Sequence, residues 1–584
     1  MQGKSGSSAQ KIALQQVVNL RGSRFPSFKQ WKELPRYLSS QEKIIVRIAS
    51  GLFIVSALTL GIRTALSTFA TVPAVGGSYT EGALGTPQYI NPLYATGSDV
   101  DADLTRLIYS GLLRYDGANG IIPDLADHYA MSDDQKTYTF TLRPNILWHD
   151  GEALTSADVV FTIDAIQNPD YHSPLAMSFA GTTVSAPDDS TVVFTLDTPF
   201  APFLAALTVG VLPAHLWEDV SPQSAPLAQY NIKPIGSGPF LFSKLVKDGK
   251  GSLKSITIAR NPQFYRGTVY LNDITMKFYS SLQELGDAVR NKNVEGASVL
   301  SATDAQSLKD DHVVTLGTPK LSQFTAAFFN QKQNAVLADD AVRQALSLAT
   351  DRTVVTQKAV GTFGTAIFSP ILSGMPGADT NTIAPNPDAA AANALLESKG
   401  WTEVDGATIR SKKGVTLTLS ITTLDVPDLT AAANELATEW KAIGADVTVT
   451  TVDQTALQSD VLKNHHYDVL LTGERYGAYP DLYPFWHSSQ IASPGLNLGD
   501  FVNRKVDTAI EEARTSSDVT KSVTASQLLA STFAETIPAI MLYQPSYLYG
   551  LSPKLHSTEV SNVTTPSDRF ANVEQWYRNT KRTW

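Results

Sequence analysis

Residues 137–165, TYTFTLRPNILWHDGEALTSADVVFTIDA, constrain the fold more than any other stretch of this chain. Tyr138, Phe140 and Leu142 alternate with threonines, the period of a half-buried strand, up to Arg143-Pro144. Trp148-His149-Asp150-Gly151-Glu152 follows as a tight turn. Residues 154–161 open a helix: Thr155 and Ser156 are N-cap types, and Asp158 occupies the capping-box position three after Thr155, with Asp in place of Glu or Gln. The pattern predicts strand, turn, capped helix. Trp148, His149 and Asp150 carry site-like chemistry, but their expected task is to fix the strand–helix junction.

Composition narrows the function classes. The chain has 584 residues, enough for several hydrophobic cores, and no cysteine. Disulfides, zinc-thiolate sites and thiol nucleophiles are therefore excluded. The net charge of −10 is uneven: residues 1–47 carry nine Lys/Arg against two Asp/Glu, leaving −17 for the rest. So acidic a body argues against nucleic-acid binding, which needs a basic face.

The basic head precedes a charge-free apolar run at 48–62, which 44–46 extends past Arg47. The 19 residues of 44–62 approach the ~20 that a membrane-spanning helix needs. Arg47 is near enough to the cytosolic end to snorkel, and the preceding positive charges set the N-terminus inside and the body outside. Phe25, Phe28, Trp31 and Tyr37 among those charges suit a juxtamembrane segment. A cleaved signal peptide is the rival reading, with Thr68-Phe69-Ala70 or Val72-Pro73-Ala74 as cleavage site; its n-region would be unusually long.

After an uncharged linker the body begins near Gly77. Residues 78–83 are strand material. Asp133-Asp134…Thr137 and Asp188-Asp189…Thr191 introduce two similar alternating segments, expected as strands of one antiparallel sheet. Helices are predicted over 339–360, 387–399 and 429–443, strands over 415–422 and 446–452; this is α/β order.

Several word-like segments carry a resemblance. They are the "tFtLR…WHDG..LT..DVVFT" text at 137–162, Pro234-Ile235-Gly236-Ser237-Gly238-Pro239-Phe240, the run from Arg260-Asn261-Pro262 to Gly267, and Phe329-Asn330 followed by Val342-Arg343…Asp351-Arg352. In this order they resemble the family 5 extracytoplasmic solute-binding proteins, the peptide and nickel receptors of ABC importers. The resemblance covers nearly everything after residue 77, and it implies a helix over 104–115. It implies an α/β, two-lobed periplasmic-binding-protein-like fold with an extra subdomain in lobe 1, here preceded by one N-terminal transmembrane helix. The implied layout is 1–43 basic cytoplasmic segment, 44–63 anchor or uncleaved signal, 64–76 linker, 77–325 plus 546–584 lobe 1 (112–230 the extra subdomain) and 326–545 lobe 2. The partners it implies are a peptide or peptide-like ligand captured between the lobes, an ABC permease, and the membrane through the N-terminal helix. No cofactor and no nucleic acid is implied.

Within that resemblance the decisive contacts are expected in 467–487. Peptide-binding relatives carry an acid for the ligand's amino group where this chain has Ala478, so Asp481 or Glu474 substitutes or the ligand lacks a free amine. Arg475 can pair a carboxylate. Tyr476, Tyr479 and Trp486 are candidate cleft walls. Asn91, Tyr109, Asn330 and Tyr543 are further ligand candidates, and Gly236 and Gly238 are expected to serve backbone positions needing positive φ.

Enzyme signatures are missing: the sequence has no G-x-S-x-G, H-E-x-x-H or G-x-x-x-x-G-K-[ST]. Of nine histidines only His465-His466 are adjacent, and neighbours in sequence do not share a helix face. The expectation is a binding receptor with neither a catalytic nor a metal site. The alternatives are a receptor for a nickel chelate, haem or an oligosaccharide, or a sensing receptor without a permease.

Overall fold

The computed structural model describes residues 32–33, 37–68, 70–117, 119–379, 386–403 and 408–583. The expectations on Phe25, Phe28, Trp31 and Phe69 fall outside these. The chain divides into two units, Met1–Pro73 with Thr580–Trp584, and Ala74–Asn579. The first holds one long helix, Ser40–Thr68, of which Ser40–Gly61 is apolar and long enough to cross a membrane. Its described apolar side chains are exposed, Leu52, Phe53 and Ile54 among them.

The second unit is α/β and two-lobed. The first lobe is built on a seven-stranded sheet in the spatial order Thr315–Gly317, Tyr549–Leu551, Gly296–Ala297, Ser78–Leu84, Asp273–Tyr279, Leu253–Arg260, Phe240–Lys247. Ser78–Leu84 and Asp273–Tyr279 pair in parallel, which demands a crossover. The long segment between them supplies it and carries a separate four-stranded antiparallel sheet of Ala126–Met131, Thr137–Leu142, Thr191–Leu196 and Thr182–Asp188. The two Asp-introduced strands are direct neighbours in that sheet, Thr137 opposite Thr195. Tyr138, Phe140 and Leu142 are buried as the alternation requires, and Phe140 meets Phe194 edge-on at 5.7 Å.

The second lobe is a six-stranded sheet in the order Gly364–Ala366, Ala539–Pro545, Gln323–Phe329, Val469–Arg475, Thr418–Leu424, Asp446–Val452. Helices cover both faces, so its central strands are apolar on both sides. Phe329 and Ala327 face one core with Trp440; Phe324 and Phe328 face another with Trp486. The C-terminal tail returns to the first lobe, where Arg569, fully buried, bonds Glu81 and Asp103, each at 2.6 Å. Such a charge is tolerable only because both partners are present.

Three local expectations are corrected. The helix expected over 339–360 is two, Asp340–Ala349 and Arg352–Val360, because Asp351 caps a new start through Thr353 and Val354 N–H groups. The helix expected over 104–115 ends earlier, as Asp99–Ile108, and strand Leu113–Asp116 follows. The strand expected over 415–422 breaks into Val415–Thr416 and Thr418–Leu424.

Candidate functional site

The chain passes between the lobes twice, just before Gln323–Phe329 and just after Ala539–Pro545. The crossings are tied together: Tyr547 N–H donates to Pro319 O at 3.0 Å and Gln544 Nε2 to Leu321 O at 2.8 Å. Lys320-Leu321 also pairs in parallel with Asn562-Val563 of the first lobe, while Tyr476 N–H donates to Ser322 O at 2.9 Å on the second-lobe side. A cavity of about 180 Å³ opens beside these crossings. Tyr115, Asn562 and Thr564 bound it from the first lobe, and Ser373, Gly374, Gly477 and Ala478 from the second. Lys320, Ser322 and Gln544 of the crossings complete the polar lining.

The lobes also touch away from this cavity. Arg514, at the end of helix Arg504–Arg514, accepts from Ala201 N–H at 2.8 Å through its carbonyl. Its guanidinium lies between two rings, 4.2 Å from Tyr483 of its own lobe and 5.0 Å from Phe200 of the other, the stacking that guanidinium groups favour. Ser517 N–H donates to Gln135 Oε1 at 2.7 Å, so the four-stranded subdomain grips the second lobe at two points.

The residues expected from sequence distribute unevenly around this site. Ala478 lines the cavity, and Tyr479 lines a smaller apolar pocket next to it together with Asp481 and Met375. Asp481 is already engaged: Arg514 Nε donates to it at 3.0 Å and Tyr483 N–H at 3.0 Å. Burial raises the Asp481 pKa, against the lowering effect of Arg514. Glu474 sits apart from the cavity lining, and burial pushes its carboxyl up to about 8. Neither carboxylate stands where Ala478 does. Arg475 is exposed at the end of its strand.

Tyr476 and Trp486 are corrections. Both are fully buried; Trp486 Nε1 donates to Tyr476 Oη at 2.9 Å, and that hydroxyl donates to Pro370 O at 2.9 Å. They anchor the core beneath the loop, with Phe324 stacked 6.0 Å from Trp486, and are not cleft walls. Asn91 and Asn330 are likewise consumed internally. Asn91 Nδ2 donates to Asn231 Oδ1 at 3.0 Å, and its own Oδ1 accepts from Leu93 N–H at 2.9 Å. Asn330 Nδ2 donates to His465 O at 2.9 Å, while Oδ1 accepts from Gln333 N–H at 3.0 Å. Tyr109 and Tyr543 are buried, and burial raises both phenol pKa values.

Gly236 and Gly238 do not have positive φ, contrary to expectation. They are glycines because Ile108 presses on them: a Cβ at Gly236 would lie 2.0 Å from Ile108 O. His149 spans the same loop, its Nδ1 accepting from Gly236 N–H at 3.2 Å and its Nε2 donating to Gly238 O at 3.1 Å. That pair of roles fits one neutral tautomer, and burial holds the His149 pKa down at about 4. Trp148, buried, donates to Asp158 at 3.4 Å, so the turn is architecture.

Sequence reasoning missed Lys320, Ser322, Ser373 and Gln544. No periodicity marks them; the available signal was the Gly/Pro-rich segment at 370–377, which lines the same cavity as the 477–480 loop.

The family model for bacterial extracellular solute-binding proteins, family 5, middle region, matches residues 120–494. The chain belongs to this family of extracytoplasmic solute-binding receptors. The oligopeptide-binding protein AppA of Bacillus subtilis is 26% identical over 517 residues, covering 86% of this chain and 92% of AppA. The structure of that AppA with a nonapeptide superposes with a TM-score of 0.70 at 25% identity, covering 87% of this chain and all of AppA. NikZ from Campylobacter jejuni, solved in complex with Ni(L-His), gives 0.71 at 26% identity over 86% of this chain and 99% of NikZ.

Proposed function

We propose that this protein captures a peptide-like solute between its lobes and delivers it to an ABC permease, as an extracytoplasmic receptor held at the membrane by its N-terminal helix. One observation carries the reading: within a family 5 fold, a polar cavity is shared by both lobes beside the chain crossings, and the lobes are gripped together at Arg514. Closure excludes water, so main-chain and side-chain donors bind a polar ligand strongly. The proposed lobes are 77–325 plus 546–584, including the subdomain 112–230, and 326–545. Transport energy comes from the partner ATPase; the receptor needs no catalysis. Calorimetry with a peptide pool is the test, and failure to bind any di- to hexapeptide overturns the peptide reading.

A nickel-chelate receptor is the second reading, supported by the likeness to NikZ. Among the described residues no three His, Cys, Asp or Glu side chains form a metal-ligand set. A chelate would have to bring its own ligands, and heat on titration with nickel–histidine but not with peptides selects this reading. For the anchor, mass spectrometry of the mature N-terminus decides: a start at residue 71 or 75 means a cleaved signal.

A further inference from the structure

We infer that the cavity beside the crossings receives the carboxylate end of the ligand, with Lys320 as its counter-charge, and that no ligand ammonium is held there. The inference rests on the receptor reading above. Lys320 is the one formally charged side chain in the lining. It has no ion-pair partner among the described residues. Three acids that adjoin lining residues are engaged. Asp481 is bound by Arg514 at 3.0 Å. Asp568 accepts from Thr564 Oγ1 at 2.6 Å, Thr564 N–H at 2.9 Å and Thr565 N–H at 3.0 Å. Asp116, next to Tyr115, accepts from Asn119 N–H at 3.1 Å and lies 3.7 Å from Arg114.

An ammonium in this cavity therefore meets a like charge and no free carboxylate, whereas a carboxylate meets an ammonium and the neutral donors Ser322, Ser373 and Gln544. Lys320 is exposed at the rim of the cavity, so its pairing with a carboxylate gains most where the bound ligand covers it from solvent and salt. Lys320 also lies on a crossing, so an anion bound to it touches the hinge between the lobes.

The test uses the full chain in detergent and three versions of one peptide pool: free ends, N-acetylated and C-amidated. The N-acetylated pool is expected to bind within about threefold of the free pool, and the amidated pool about tenfold or more weaker, the loss of one charge-assisted contact. Lys320→Met lowers affinity for the free pool to that of the amidated pool and leaves the amidated pool unchanged; Lys320→Arg retains binding. Peptides that bind with acetylation abolishing and amidation sparing affinity overturn the inference while leaving the receptor reading intact. So does a Lys320→Met loss equal for all three pools. No binding of any pool overturns the receptor reading and the inference with it.

Discussion

The strand–turn–helix at 137–167 and the loop after Arg475 both draw on aromatic, Pro, Gly, His and Asp residues, yet they use them oppositely. In the first, the buried polar groups close on their own neighbourhood. Asp158 alone accepts from Thr155 N–H at 2.8 Å, Ala214 N–H at 2.9 Å and Trp148. In the second, the buried rings of Tyr476 and Trp486 hold down a segment of which several members face outward: Gly477 and Ala478 toward the shared cavity, and Asp481 toward Arg514 and so toward Phe200 of the other lobe. Closed polar networks build a scaffold; open ones on a rigid base are available to a partner.

Substitutions can break or sharpen this contrast. Trp486→Ala has the largest expected effect, a stability loss of about 3–5 kcal/mol from a fully buried ring, measured by denaturant unfolding. If it instead lowered ligand affinity with stability unchanged, the loop would lack the base described above. Asp158→Ala removes three accepted hydrogen bonds and is expected to cost about 2–4 kcal/mol without altering ligand affinity in the folded protein.

Acid sensitivity separates the two regions next. His149 is held neutral, with its pKa lowered to about 4. Its contribution is present above the ordinary histidine range, is lost as pH falls from about 6.5 toward 4, and amounts to about 3 kcal/mol over that window. His149→Asn should flatten this part of the stability–pH curve; an unchanged curve contradicts the burial described. The smallest effect belongs to the grip between the lobes. Phe200→Ala removes one face of the Arg514 sandwich but leaves Asp481 paired. The expected result is about two- to thirtyfold weaker ligand binding, the range for losing a cation–π contact, with little change in unfolding midpoint.

Local chemistry made much of the fold legible. The capping box at Thr155 and Asp158 and the strand Asp446–Val452 appear where propensity and period place them. Errors arose where a single side chain overrode the period, as Asp351 does in breaking one long apolar pattern into two helices. The site was less legible. Its cavity joins side chains from 115, 320–322, 372–375, 477–480, 544 and 562–564, segments brought together only by the crossings between lobes. Nothing in the local pattern around Lys320 records that juxtaposition. Aromatic richness in 476–486 was a true sign of a special loop, but it marked the loop's buried base: Tyr476 and Trp486 satisfy each other instead of facing a ligand.

Closure of the lobes on ligand is the central claim, and the chain's lack of cysteine makes it directly measurable. Asp133 and Lys521 are exposed on the two sides of the grip, so Asp133→Cys and Lys521→Cys carry a pair of spin labels without disturbing it. Electron–electron double resonance should give a broad or two-component distance distribution without ligand, collapsing to a single short component on addition of a peptide pool that calorimetry shows to bind. A distribution that a bound peptide leaves unchanged would contradict capture by closure.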